Sequence, residues 1–406
     1  MERLLNRHKR MNANDILQYI DSEAIARDTL AFVEVKSETC TEGPGSDFLA
    51  ELIKREGFEV AMDDVEPGRP NVYSRIEGTG GGQVLAFNGH TDTIPIGNST
   101  PPGRDGDWII GRGTEDMKGG LVAMVHAASA LKKAGIELAG DLWLTGVIGH
   151  EAPEGKKEGP KRLIEHLLSR RIPADAIIIV EGPCAIWSAS LGSAIFNIEI
   201  KDDRGPIHTI KVPYDTNPAY WVGKLLTELQ EREEAFKKQP AHPLCGRQLY
   251  NVGMVHGGDY MNRLPASFNI TGTRRWTPGI TLTDIQAEFQ EICDRYSEQS
   301  GMHWSYSIQG EREPFETPAD HALVEALIGS AETVSGKPPE IIGMGLVGDA
   351  NLYDNDGGVK TVYYGPAHQT AHSDHEQVSI AQLTHCAQVY ALAAVNFCGL
   401  QAPGNP

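Results

Sequence analysis

Four short apolar runs in this sequence each lead into side chains that can hold a divalent ion. Val84 to Phe87 leads into Asn88-Gly89-His90-Thr91-Asp92, Leu142 to Ile148 into His150-Glu151, Ala176 to Val180 into Glu181, and Val362 to Tyr364 through a loop to His372. Runs of this length and composition read as buried strands, and the crevice beyond the carboxyl ends of strands is where open α/β sheets bind ligands. Imidazole and carboxylate donors together suit zinc, with cobalt and manganese as alternatives, and one carboxylate can bridge two ions. Any one such residue is more often simply solvated. Four of them at four strand ends make a converging site the better reading.

Two local patterns sharpen it. A histidine that binds metal usually donates its other ring N–H to a carboxylate, and in His90-Thr91-Asp92 an aspartate stands two residues away, close enough to reach back across a turn. The stretch Gly111-Arg112-Gly113-Thr114-Glu115-Asp116-Met117-Lys118-Gly119-Gly120 precedes a helical pattern. Its glycines allow turns and close backbone approach, and Asp116 is placed either to cap the helix or to supply a bridging carboxylate.

The elements that position these residues follow from periodicity. Apolar residues recur at helical intervals from Asp15 to Val33, and Phe48 to Lys54 continues the pattern; Leu121 to Lys133 and Lys161 to Ser169 are further helical segments between the strands. Strands alternating with helices predict a layered α/β catalytic domain with a mixed central sheet. The middle of the chain differs. Ala194 to Ile200 alternates as a half-buried strand, Ala219 to Glu234 and Asp284 to Ser297 read as helices, and Phe268 to Thr273 and Trp304 to Ile308 as strands. That order predicts an inserted two-layer α+β domain at 194–309, with one more strand unresolved, between catalytic segments at 1–193 and 310–406.

Composition excludes several functions. With 36 Lys+Arg against 55 Asp+Glu the formal charge is −19, which disfavours nucleic acid and anionic membrane as partners. The longest apolar stretch, Val389 to Phe397, is far short of the roughly 20 residues of a membrane span. Six scattered cysteines with no C-x-x-C pair fit reduced thiols and a cytoplasmic setting. The basic start MERLLNRHKRMN lacks the apolar stretch of a secretory signal. No repeat or low-complexity segment is present.

Taken together, GHTDTIP (89–95), GRGTEDMKGG (111–120), the acidic loop with Glu151, VEGP (180–183) and AHSDHEQV (371–378) resemble the zinc-dependent amidohydrolase family of acetylornithine deacetylase, succinyl-diaminopimelate desuccinylase, aminoacylase and carboxypeptidase G. The resemblance extends from about Asp15 to Leu392. It implies two divalent ions per chain: one held by His90 and Glu181, the other by Glu151 and His372, with Asp116 bridging and Asp92 orienting His90. It implies that the inserted domain is a lid through which the chain forms a homodimer. RGPIHTIKVPYDTNPA then places His208 across the dimer in the partner's active site, while GGDYMNRLP and RRWTPG place Asn262 and Arg275 near the carboxylate of a small-molecule substrate. Glu376, four residues after His372, matches the family's acidic partner to the site, and Asp349 in VGDAN lies in another segment of the resemblance, placed to support the metal shell.

The acidic loop departs from the family. Its members carry two adjacent glutamates there, the first a general base and the second a metal ligand; this chain has His150 and Glu151. An imidazole can also take a proton from an activated water, but it then becomes cationic beside metal ions, where a glutamate becomes neutral. Several readings follow: His150 as the base, Glu154 as a substitute base, His150 as an extra metal ligand, or a catalytically silent metal-binding homodimer. The activity expected is hydrolysis of a C–N bond, first the amide of an N-acyl amino acid or related small carboxylate. The alternative chemistry is hydrolytic removal of an amine from a non-peptide small acid.

Overall fold

The computed structural model describes residues 13–151, 153–213 and 216–401. The basic segment 1–12, on which the absence of a signal was read, lies outside them, as do Tyr214 and Asp215 of the RGPIHTIKVPYDTNPA stretch. The chain divides into two compact units, one of Met1–Ser188, Thr317–Ile342 and Leu352–Pro406, the other of Ala189–Glu316 and Gly343–Asn351.

The first unit is built on a mixed sheet, as the alternation of strands and helices predicts. Seven of the sheet's nine strands run in the order Ala61–Glu66, Arg69–Ile76, Leu142–Val147, Leu85–His90, Ala176–Ile179, Lys360–Tyr363 and Ile186–Ser190, and the short strands Phe315–Glu316 and Ile341–Met344 both pair with the last of these. Leu85–His90 is parallel to both Leu142–Val147 and Ala176–Ile179, and Lys360–Tyr363 is parallel to Ala176–Ile179. The four ligand-bearing strands are therefore parallel, central neighbours. Their carboxyl ends lie on one edge, which is why residues far apart in sequence meet there. Leu85, Ala86, Phe87, Ala176, Ile177 and Ile178 are fully buried, so these strands read as continuous apolar runs rather than as alternation.

Helices close over this sheet. Ile380–Cys398 packs against Gly119–Lys133, Ala322–Ser335 and Ser22–Glu34, and the apolar run at Val389 to Phe397 is one turn-by-turn part of this buried helix. Among the described residues no helix is long and apolar enough to cross a membrane. Gly119–Lys133 begins against the sheet so closely that a Cβ on Gly120 would stand 1.7 Å from the carbonyl oxygen of Val180. Only glycine allows that approach, and it seats the helix directly behind Glu181. The six cysteines are free thiols.

In the second unit, four antiparallel strands run in the order Leu249–Gly257, Ser267–Trp276, Gly192–Lys201 and His303–Arg312. Leu249–Gly257 is the strand that periodicity leaves unresolved. It is an edge strand with mostly exposed residues, so no apolar alternation marks it. Ala194, Phe196, Ile198 and Ile200 face the helices Pro218–Lys238 and Leu282–Ser300 through Leu225, Phe289 and Ile292. Thr281 and Asp284 form a capping box at the start of the second helix, satisfying N–H groups that its first turn leaves open.

Candidate metal centre

His90 ends its strand 1% exposed. Its Nε2 lies 2.8 Å from Asp116 Oδ1, and its Nδ1 donates to the backbone carbonyl of Asp92 at 2.9 Å. The Asp92 carboxylate is farther from that ring, 3.6 Å. Orientation of His90 by residue 92 thus runs through the main chain, where the sequence suggested the side chain. The carboxylate instead accepts from the backbone N–H groups of His150 at 3.1 Å and Glu151 at 2.9 Å, and from the Thr39 hydroxyl at 2.9 Å. Asp92 ties two strand ends together and fixes where His150 and Glu151 stand.

Asp116 sits in the irregular turn Thr114–Lys118 and is 6% exposed. Its second oxygen is 3.1 Å from His372 Nε2, and the same nitrogen is 3.0 Å from Glu151 Oε1. Burial pushes the Asp116 carboxyl up, but the hydrogen bonds from His372 and His90 outweigh it and hold it well below the usual carboxylate range. Hydrogen bonds to Asp116 and Glu151 raise the His372 ring to about 10. Burial pulls the His90 ring down, and its hydrogen bond to Asp116 with the nearby Asp92 and Glu151 carboxylates overcomes that and raises it well above its ordinary value. One aspartate therefore faces two imidazoles, one through each oxygen.

Glu181 is buried just after the strand Ala176–Ile179. His90, Asp116 and Glu151 place their ligand atoms within 4.8 Å of one another, and so do Asp116, Glu181 and His368. Borderline nitrogen donors and hard carboxylate oxygens clustered around a shared aspartate fit divalent ions such as zinc, cobalt or manganese. All the metal ligands expected from sequence lie in the first unit, with Asp116 at their centre.

The turn carrying Asp116 is held by residues distant in sequence. Glu376 Oε1 accepts from the backbone N–H of Glu115 at 2.9 Å and of Asp116 at 3.2 Å, while Arg112 donates to Glu376 Oε2 at 2.7 Å. The match of Glu376 to an acidic partner is thus explained by a backbone contact. Arg112, and Lys118, which donates to the Val35 carbonyl at 2.7 Å and is pushed down to about 7 by burial, are supports that sequence reasoning did not single out. Their only local signal is charge within an otherwise buried glycine-rich stretch.

His150 lies flat on His90, with ring centroids 4.1 Å apart and planes 4° from parallel. Lys157 Nζ is 3.0 Å from His150 Nδ1. Glu154 is exposed.

A sequence model described as peptidase family M20/M25/M40 matches residues 86–396, most of the chain. This chain belongs to that family. The resemblance drawn from its motifs is confirmed, and the protein is a metal-dependent hydrolase acting on C–N bonds. Over 393 residues the M20 chain is 28% identical to N-formyl-4-amino-5-aminomethyl-2-methylpyrimidine deformylase of Bacillus subtilis strain 168, covering 88% of this chain and 90% of the relative. Over 330 residues it is 26% identical to succinyl-diaminopimelate desuccinylase of Nitrosomonas europaea, covering 77% of this chain and 83% of that one. In fold it is similar to aminopeptidase PepT from Bacillus cereus, with a TM-score of 0.76 at 22% identity over 94% of this chain and 99% of that chain.

The remaining expected site residues lie in the second unit of the M20 chain. His208 is exposed; its Nδ1 accepts from the Ile210 N–H at 3.3 Å, and its Nε2 is 3.5 Å from Asn262 Nδ2. Arg275 donates to the Gly345 carbonyl and is pulled down by burial. Its neighbour Arg274 points the other way, 1% exposed, with Nε 3.0 Å from Glu288 Oε1. Asp349 is 3% exposed at the start of a short helix.

Proposed function

We propose that this chain hydrolyses the amide of an N-acyl amino acid or a related small carboxylate, using two divalent ions, zinc foremost, held by His90, Asp116, Glu151, Glu181 and His372. The observation that supports this most is Asp116 facing His90 and His372 through separate oxygens, the disposition a bridging carboxylate needs. Bound there, such ions supply Lewis acidity and lower the pKa of a water molecule to make a nucleophile. Asp92 holds the His150-Glu151 backbone so that both side chains enter the site from one strand end. His150 occupies the position from which a base takes the proton of the attacking water and returns it to the leaving nitrogen. His208 polarises the developing oxyanion in the partner subunit's site of a homodimer, and Asn262 with Arg275 clamps the substrate carboxylate. Free thiols among the described residues support a cytoplasmic location.

One contact favours a second reading for His150. An ammonium can only donate, so Lys157 at 3.0 Å makes His150 Nδ1 an acceptor and leaves the neutral ring with its proton on Nε2. In that form Nε2 is a donor and cannot take a proton from water, so the water must be activated differently. Hydrolytic release of an amine from a small acid is the chemistry most compatible with such a change.

Metal analysis coupled to a substrate panel tests the function. About two ions per chain, with hydrolysis of N-acyl amino acids abolished by chelator and restored by metal, is the expected result. Ammonia release from aminated aromatic acids with no amide cleavage would transfer the assignment to the alternative chemistry. Bound metal without turnover on either class would overturn both.

A further inference from the structure

His368 lies four residues before His372, in a loop the motifs do not cover. Two backbone contacts bring it to the site. Ala367 pairs with Gly182 in an isolated bridge, and the Gly365 N–H donates to the Pro183 carbonyl at 3.3 Å. The loop is thereby clipped to the segment that follows Glu181. A Cβ on Gly365 would meet the Glu181 backbone at 2.3 Å, so glycine is what lets the two segments approach this closely.

The approach sets His368 Nδ1 3.7 Å from Glu181 Oε1. That atom is buried and has no hydrogen-bond partner among the described residues. The separation is informative. Hydrogen-bonded pairs stand about 2.7–3.2 Å apart, as His90 and Asp116 do at 2.8 Å. Two ligands on one tetrahedral ion, each bonded at about 2.0–2.2 Å, stand roughly 3.3–3.6 Å apart. The His368 to Glu181 gap is too wide for a shared proton and close to the width for a shared ion. A buried imidazole nitrogen without a partner costs free energy, which an ion shared with Glu181 and Asp116 would recover.

We propose that His368 is an additional metal ligand, completing with Asp116 and Glu181 a site that the family motifs describe without it. This rests on the metal-site reading above and adds one imidazole to the Glu181 side. His368 would join His90 and Glu181 on one side of Asp116, while His372 and Glu151, 3.0 Å apart, stand together at the other Asp116 oxygen.

The test compares wild type with His368→Ala, His368→Gln and, as a control from the same loop, His375→Ala. Each protein is loaded with zinc and titrated with a chromophoric chelator, and each is loaded with cobalt(II) for its visible absorption spectrum. Thermal unfolding of the metal-free proteins reports whether each variant folds, and the glutamine variant carries the test if the alanine variant does not. Both His368 variants are expected to bind one of two ions at least about tenfold more weakly and to show an altered cobalt spectrum, while His375→Ala matches wild type. Wild-type behaviour of His368→Gln, which keeps an N–H to offer Glu181 but is a poor metal ligand, would show that His368 only positions Glu181 and would overturn the assignment. So would two unweakened ions in both His368 variants. A wild-type protein that binds no ion would fail the metal-site reading itself, a result distinct from either.

Discussion

The rings of His90 and His150 stack 4.1 Å apart, within 4° of parallel, while the carboxylate of Asp92 accepts from the backbone N–H of His150 at 3.1 Å. The histidine in the family's base position is therefore held by a neighbouring ring, by its own backbone and by Lys157 at Nδ1. With Nδ1 facing Lys157, the chemistry of this ring turns on Nε2. Whether Nε2 accepts or donates decides the chemistry.

Substitutions at position 150 separate the two roles. If His150 is the base, His150→Gln lowers kcat by about 10²–10⁴-fold with KM little changed, and His150→Glu retains or raises amidase turnover. If His150 is a hydrogen-bond donor, His150→Gln keeps most of the native activity and His150→Glu loses it. Steady-state kinetics on the preferred substrate distinguishes the outcomes.

Glu376→Gln should damage the centre without touching it. The carboxylate holds the N–H groups of residues 115 and 116 and pairs with Arg112, which is 7% exposed. Removing its charge leaves a buried guanidinium uncompensated, a loss of about 3–5 kcal/mol. Urea unfolding should show that loss, and metal content should fall because the Asp116 turn is released. Unchanged metal content would show that the turn keeps its shape without Glu376.

Arg274 and Arg275 should separate stability from substrate binding. Strand alternation buries Arg274 against Glu288 and leaves Arg275 half-buried on the other face. Arg274→Ala is expected to destabilise by about 3 kcal/mol with modest effects on kinetics in whatever remains folded. Arg275→Ala is expected to raise KM for carboxylate substrates with little change in the unfolding midpoint. Equal effects on KM from both would remove Arg275 from the substrate clamp.

Asp28 provides a pH-dependent element of stability away from the centre. Burial raises its carboxyl, but hydrogen bonds from His126 and Arg55 bring it below the ordinary 3.8. A carboxyl lowered in the folded state contributes stability that is fully present above its unfolded pKa and is lost as pH falls through its folded pKa. Asp28→Asn should therefore cost about 2 kcal/mol near pH 7, with the difference from wild type shrinking as pH drops below about 4. Unfolding curves at pH 7 and near pH 3 measure it; a constant difference would mean the loss comes from packing.

The sequence alone determined the strand ends that carry His90, Glu151 and Glu181, the loop with His372, the turn with Asp116, and the anomaly at His150. These are legible because a parallel central strand must be apolar throughout and because catalytic side chains follow it immediately. The helix Leu282–Ser300 was legible because its apolar period marks one buried face, and Gly119–Lys133, buried all round from Gly119 to Leu131, because its run is apolar and small throughout. The edge strand Leu249–Gly257 was not, because its exposed residues carry no such mark.

Only the tertiary structure decided which partner each side chain takes. Arg112 and Glu376 are 264 positions apart, Asp92 gives its carboxylate to the His150-Glu151 backbone and its carbonyl to His90, and His368 meets Glu181 through a bridge between Ala367 and Gly182. Periodicity reports how each segment faces the core, and that is a property of neighbouring residues. Which donor meets which acceptor depends on loop paths and register across the whole chain, and those are fixed only when the sheet closes.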